Sequence, residues 1–267
     1  MELHQTAYIT LLHGYCKRGN VERANQLLGE MLSKGCFPNT VTYNVLIQSV
    51  YKEGRISEAE QLLHKMIDRG LTPDTITCNI MIEGLCKNGK VDKGIKIMDC
   101  MWIHGSATIG DLYENCDASV GLVNSIKHES CFHDIVTYTT IIDGLCKEGR
   151  LDEAKRLFIQ MLEKGLLPDV IAYSTLIDGF CKHGELSMAF KLLSEMQTRE
   201  CALTTGTYNL VMRGLSIGGK INKAYKLLHY MQKKGCVPDA FSYSLLMNLT
   251  VCMIIQACLW LETHVSY

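Results

Sequence analysis

The sequence predicts an all-α protein, a solenoid of stacked helical hairpins, and three observations carry that prediction. Proline is scarce, 4 residues in 267, where average usage of about 5% would give roughly thirteen; a chain poor in Pro can run long helices, because Pro breaks helix interiors. The prolines are also spaced: Pro38, Pro73, Pro168 and Pro238 are separated by 35, 95 and 70 residues. Tyr8, Tyr43, Tyr138, Tyr173, Tyr208 and Tyr243 keep the same 35-residue step with one gap of 95, and Cys78 divides that gap into 35 and 60. A fixed period between 20 and 50 residues is the signature of a repeat architecture.

This period sets the domain organisation. Six repeats run 5–39, 40–74, 75–134, 135–169, 170–204 and 205–239, the third carrying a 25-residue insert at 106–130. Residues 1–4 are a remnant before the first repeat, and 240–267 are a degenerate partial seventh repeat with a hydrophobic tail. Composition agrees with a folded chain. At 47% hydrophobic and 21% charged, with a net charge of −1, it is neither a disordered tail nor a collagen-like chain nor a strongly basic nucleic-acid arm.

Within a repeat the elements follow from side-chain spacing. In repeat 135–169, Tyr138, Ile141, Ile142 and Leu145 fall at i, i+3, i+4 and i+7, one face of a helix, which Gly149 ends. The second helix places Ala154, Leu157, Phe158 and Met161 on its apolar face and stops at Gly165, three residues before Pro168. Asp152 is read as the N-cap of that helix, with Ser57, Asp92, Ser187 and Asn222 in the same slot, and Ser57 with Glu60 as a capping box. A hairpin of this kind cannot bury its apolar face alone, whereas a stack of them shares a continuous core. Small residues recur at close approaches (Ala24, Ala59, Ala154, Ala189, Ala224) and methionines at a core slot (Met31, Met66, Met101, Met161, Met196, Met231), where Met serves as an adaptable filler.

The blocks VTYTTIIDGLCKEGRLDEA at 136–154 and IAYSTLIDGFCKHGELSMA at 171–189, with recurring TYN-x-LI, GLCK-x-G and EM-x-x-x-G-x-x-PD elements, resemble the pentatricopeptide repeat family, in its pure 35-residue class and close to plant restorer-of-fertility-like members. The tetratricopeptide repeat, with period 34 and a W-x2-L-G-x2-Y block, fits less well. The resemblance implies a right-handed superhelix that binds single-stranded RNA at one base per repeat. In the family, the residue after the repeat Tyr and the last residue of the repeat read the base. Carried over, the pairs are Asn44 with Asp74, Asn79 with Asp134, Thr139 with Asp169, Ser174 with Thr204, and Asn209 with Asp239. Asn–Asp pairs resemble uracil readers, Thr–Asp a guanine reader, and Ser–Thr points to a purine, giving the core U-U-G-purine-U. Ile9 with Asn39 is unreadable, since Ile makes no base-edge hydrogen bond. The apolar residues Val41, Ile76, Val136, Ile171 and Phe241 take the family's base-stacking slot, which Gly206 leaves empty. The same residues have plainer readings, as turn and cap chemistry for the polar set and as core packing for the apolar one.

Lysine keeps the register as well, at Lys17, Lys52, Lys87, Lys147 and Lys182, with Ile217 replacing it in repeat 6. Phosphate contacts explain a lysine per repeat; solvated surface lysines are the alternative. No cofactor is expected. Cys116, His128, Cys131 and His133 are of zinc-binding types, but their spacing is irregular and Cys131 shares a repeat slot with Cys36, Cys201 and Cys236, so no metal is expected. The 13 cysteines contain no C-x-x-C pair and read as buried thiols of a reducing compartment. H-E-x-x-H, Walker, G-x-S-x-G and deaminase signatures are absent, so the chain is read as a non-enzyme.

The insert is a functional lid or an accidental extension, the latter preferred, with a short helix near 119–127. Leu245–Leu261 is too short and too interrupted for a spanning helix of about 20 apolar residues; a membrane is not an expected partner, and this segment is read as a cover over the end of the stack. Met1–Thr6 is too short for a presequence. The family's usual site of action implies the mitochondrion, with the chloroplast as alternative, and an absent transit peptide implies a truncated product. The expected form is a monomer acting in organelle RNA processing, stability or translation, with other RNA-processing proteins as further partners. A peptide-binding scaffold using the same groove and a non-functional gene fragment stand beside that reading.

Overall fold

The computed structural model describes residues 2–103 and 134–251. The insert at 106–130, the zinc-type residues Cys116, His128, Cys131 and His133, and the tail beyond 251 lie outside the described residues.

Helices follow one another in pairs: α1 (Glu2–Lys17) with α2 (Val21–Ser33), α3 (Thr40–Lys52) with α4 (Ile56–Asp68), α5 (Thr75–Lys87) with α6 (Val91–Ile103), α7 (Ile135–Lys147) with α8 (Leu151–Glu163), α9 (Val170–Lys182) with α10 (Leu186–Thr198), and α11 (Thr205–Ile217) with α12 (Ile221–Lys233). A further helix begins at residue 240. There is no strand among the described residues. The chain is an α-solenoid that divides into two compact units, Met1–Gly144 and Leu145–Tyr267. In the first unit α3 packs against α4 and lies between α1 and α5; in the second, α9 packs on α10 and α11. First helices therefore stack on first helices, and each second helix leans on the first helix that follows it, as α2 does on α3 and α10 on α11.

The periodic residues fill this core. Tyr43, Tyr138, Tyr173 and Tyr208 are fully buried, as are Cys78 in the tyrosine slot, the alanine series Ala24, Ala154, Ala189 and Ala224, and Met31, Met66, Met161, Met196 and Met231. Each burial stabilises by roughly 1.5–3 kcal/mol for a large apolar side chain. The four helical-face residues of repeat 135–169, Tyr138, Ile141, Ile142 and Leu145, are at most 1% exposed.

One series that sequence reasoning passed over locks neighbouring first helices together. A β-carbon on Gly84 would meet the Tyr51 side chain, with its Cβ at 2.7 Å; on Gly144, Cys86 Cβ at 3.0 Å; on Gly179, Cys146 Cβ at 2.7 Å; on Gly214, Cys181 Cβ at 2.7 Å and Sγ at 2.9 Å. The knob of one repeat fits a notch left by the missing side chain in the next. This explains the G-L-C-K block: its Gly receives a knob and its Cys supplies one. Cys86, Cys146 and Cys181 are accordingly buried, as expected of them, while Cys16, Cys36, Cys201 and Cys236 are only half-buried. Burial, more than the nearby Asp178, pushes the Cys181 thiol up to about 12.

The N-caps of the second helices differ from expectation. Helices α4, α8, α10 and α12 begin one residue after Arg55, Arg150, Glu185 and Lys220, none of which caps through its side chain. Ser57, Asp92, Asp152, Ser187 and Asn222 are therefore the second helical residue, not the cap, and no Ser57–Glu60 capping box forms. The tight turn starts each helix one residue early. At that position Asp92 and Asp152 act instead on the positive helix end. Arg55 and Arg150 bridge to Glu58 (2.5 Å) and Glu153 (2.8 Å) in the first turn.

Between repeats, Gly35, Gly70, Gly165 and Gly235 take the left-handed conformation after the second helix, but in repeat 170–204 that position is Glu200, at φ 56°. An L-residue there costs about 1–2 kcal/mol, partly offset by the roughly 0.5–1 kcal/mol of chain entropy a glycine would lose. Glu200→Gly is expected to raise stability by about 0.5–1 kcal/mol, read as a higher urea midpoint at unchanged slope.

Candidate functional site

The polar residues singled out in sequence meet where one repeat hands over to the next. The last residue of each repeat is the N-cap of the following first helix. Asn39 accepts from Thr42 N (3.0 Å), Asp74 from Thr77 N (2.8 Å), Asp134 from Thr137 N (2.8 Å), Asp169 from Ala172 N (2.8 Å), Thr204 from Thr207 N (3.2 Å) and Asp239 from Ser242 N (2.8 Å). The plainer reading of these residues, as caps, thus holds in every repeat. The cap bond goes to Oδ1 in every Asp, and the carboxylate can still accept from a second partner.

In two of the pairs that partner is the expected one. Asn79 Nδ2 donates to Asp134 Oδ2 (3.4 Å), and Asn209 Nδ2 to Asp239 Oδ1 (3.1 Å) and Oδ2 (3.4 Å). Asn44 and Asp74 are joined through the Thr77 hydroxyl, 2.8 Å from each. Thr139 turns its hydroxyl to Ile135 O in its own helix (2.6 Å). No hydrogen bond joins Ser174 to Thr204, whose hydroxyl lies 3.1 Å from that of Thr207. Sequence reasoning missed the hydroxyls Thr77, Thr137 and Ser242, although a Thr or Ser three residues after every cap but Asp169 was a visible signal.

These bonds stabilise the ionised carboxylate of Asp239: the Ser242 amide and hydroxyl, then the Asn209 amide, hold it below the usual 3.8. A depressed folded value contributes stability that is fully present above the unfolded value and is lost as pH falls through the folded one. A carboxyl-carbon NMR titration is expected to place Asp239 below the ordinary aspartate range, and Ser242→Ala to move it up.

Within each repeat an apolar residue sits beside the polar ones. Val41 (54% exposed), Ile76 (62%), Val136 (59%), Ile171 (67%) and Phe241 (51%) stand in solvent, so core packing does not account for them. Each lies three residues before the readout position, on the same helical face. Gly206 in the same series is exposed and offers no surface.

Lys17, Lys52, Lys87, Lys147 and Lys182 are each the last residue of a first helix. They are exposed and sit at the negative end of the helix dipole. Lys87 pairs with Glu83, and Lys182 with Asp178 at 2.8 Å. From Asn44 to Lys52 is eight residues, about 12 Å along the helix. Among the described residues no group of three His, Cys, Asp or Glu could hold a metal ion, and no helix is long and apolar enough to cross a membrane.

Helical hairpins of one period, each handing over to the next through a capped polar residue beside an exposed apolar one, define a helical-repeat protein. Models of the PPR repeat family match residues 4–52, 38–87, 133–182, 168–217 and 203–251, and a PPR repeat model matches 76–106. The chain belongs to the PPR repeat family. It is 44% identical over 67 residues to the pentatricopeptide repeat-containing protein At2g17140 of Arabidopsis thaliana, a match covering 25% of this chain and 7% of that one. Among solved structures it is similar to the pentatricopeptide repeat protein PPR10 from maize (TM-score 0.59, 26% identity, 90% of this chain and 36% of that one). The PPR domain of Arabidopsis thaliana protein-only RNase P 1, solved in complex with tRNA, has the same fold (TM-score 0.53, 15% identity, 77% and 95%). The chain thus spans well under two thirds of the length of At2g17140 and of PPR10.

Proposed function

We propose that the chain is a sequence-specific single-stranded RNA-binding module that reads one base per repeat, with the core U-U-G-purine-U. The observation that carries this reading is the exposed apolar residue beside the polar ones on one helix face of each repeat: Val41, Ile76, Val136 and Ile171 offer apolar surface on which a base can pack, and Asn44, Asn79, Thr139, Ser174 and Asn209 offer hydrogen bonds one helical turn away. Bases need both, because stacking supplies affinity without sequence and edge hydrogen bonds supply choice. Asp74, Asp134, Asp169, Thr204 and Asp239 complete the pairs. The five lysines neutralise phosphates along the strand. Membership of a family with RNA-bound relatives supports the reading, and a role in organelle RNA processing, stability or translation, in the mitochondrion or chloroplast, follows by the same resemblance.

An RNA containing UUGAU is expected to bind tighter than its scramble at low salt, by fluorescence anisotropy; equal binding overturns the readout. Lys52→Gln is expected to reduce the slope of log affinity against log salt by about 0.7 while leaving base preference unchanged.

A further inference from the structure

We propose that Thr77, Thr137 and Ser242 are positioning residues that fix the hydrogen-bonding polarity of Asn44, Asn79 and Asn209, so that these repeats present an amide N–H, not a carbonyl, to the base. The inference rests on the RNA-binding reading and adds a third residue to each reading pair.

An asparagine carboxamide has a donor end and an acceptor end of the same shape. Its environment decides which end faces a ligand. A carboxylate only accepts, so the amino end of Asn79 faces Asp134 Oδ2, and its Oδ1 then accepts from Thr137 Oγ1 at 2.6 Å. The arrangement repeats 33 residues after Asn209, whose amino end faces Asp239 and whose Oδ1 accepts from Ser242 Oγ at 2.6 Å. Asn44 Oδ1 accepts from Thr77 Oγ1 at 2.8 Å. The hydroxyls are themselves oriented: Asp74 N donates to Thr77 Oγ1 and Asp239 N to Ser242 Oγ, both at 3.2 Å, which turns the single hydroxyl proton away from the backbone; the Asn carbonyl and the capping carboxylate compete for it, the carbonyl lying nearer at Thr137 (2.6 against 2.9 Å) and Ser242 (2.6 against 2.8 Å).

A carboxamide carries two N–H donors, and a capping carboxylate uses one of them in Asn79 and Asn209. The second is left for a base. Asn209 is only 6% exposed, so an end-for-end flip there would set a carbonyl against the Asp239 carboxylate in a confined site; at Asn44, equally buried, the Thr77 hydroxyl alone holds the carbonyl end. Where the readout residue is Thr139, which has no carboxamide to orient, the corresponding residue of the next repeat is Ala172. Hydroxyls also occur at Thr42 and Thr207, where they serve the cap alone.

The consequence is discrimination between keto and amino bases. Uracil carries the O4 acceptor where cytosine carries the N4 amino donor. A fixed donor selects uracil, whereas a carboxamide free to flip accepts either.

The test uses the full chain and two RNAs that differ only in U or C at the first base of UUGAU. Wild type is expected to prefer U by roughly ten-fold, a single good base contact. In Thr77→Val, which keeps the shape and loses the hydroxyl, the preference is expected to fall to within about two-fold of parity. Thr77→Ser restores it, and the U over C preference at the second base stays unchanged in all three proteins. Without RNA, the Asn44 side-chain NH2 order parameter from nitrogen relaxation is expected to fall in Thr77→Val and recover in Thr77→Ser. Should Thr77→Val not fold, Ser242→Ala carries the same reading at the fifth base. Retention of the U preference by the folded hydroxyl-free variant overturns this inference and leaves RNA reading intact. Failure of wild type to separate UUGAU from its scramble overturns RNA reading, and with it this inference.

Discussion

Gly179→Ala is expected to destabilise the unit spanning Leu145–Tyr267 by about 1–3 kcal/mol, the usual cost of overpacking a filled core. Propensity alone argues the opposite, since Ala is better than Gly in a helix interior by about 1 kcal/mol. The contact decides the sign. A β-carbon at Gly179 would lie inside van der Waals contact of Cys146 Sγ and 2.7 Å from its Cβ. A Cβ is one bond from the backbone, so it cannot swing away, and the two helices must part. In a stack held by nearest-neighbour contacts, parting one pair of first helices lowers the coupling of everything beyond it. A double-mutant cycle makes this checkable. In a Cys146→Gly background both the Cβ and the Sγ of the knob are gone, so Gly179→Ala should become neutral or stabilising by up to about 1 kcal/mol. Urea unfolding of the four proteins gives the coupling; additive effects would remove the knob-and-notch account.

That contact also marks how far sequence reading reached. The 35-residue ladder of Pro and Tyr was enough to place every helix pair that is described, because an inward side chain at the tyrosine slot, with Cys78 standing in once, and a break after each second helix are local requirements. The knob-and-notch pairs were not legible: Cys146 and Gly179 are 33 residues apart, and only stacking brings them together. Caps were half legible. The eye goes to Asp152 and Ser57 as good capping types, yet the turn starts those helices one residue earlier. The strong caps are instead Asp74, Asp134, Asp169 and Asp239, first singled out for base reading. These two roles are compatible because a carboxylate accepts several hydrogen bonds at once, as Asp239 does from Ser242 N and Asn209 Nδ2. The exposure of Val41, Ile76, Val136 and Ile171 could not be read from the chain either, since an apolar residue at a helix start fits a core equally well.

Asn44→Thr is expected to change the base preferred opposite repeat 40–74 from U to G and to leave the other four positions unaltered. A carboxamide held by Thr77 offers a donor, which a base carbonyl satisfies. A threonine hydroxyl in this slot has another option, shown by Thr139: its proton goes to the backbone carbonyl four residues earlier, Ile135 O at 2.6 Å. The oxygen then offers lone pairs to the groove, so the polarity of the site inverts from donor to acceptor. Guanine presents N–H groups on its Watson–Crick edge, and the new pair with Asp74 copies the chemistry of Thr139 with Asp169. Affinity for UUGAU should fall about ten-fold and affinity for GUGAU rise to meet it, each base contact contributing roughly 1–3 kcal/mol. Thr40 to Lys52 should remain helical by circular dichroism, since Thr is accepted in a helix at a cost of under about 0.7 kcal/mol. Selection from a randomised RNA pool reads all positions at once. Persistence of U at the first position, or a change at a different one, would show that Asn44 does not set that base and would break the register for the whole array, because the repeats are read in one frame.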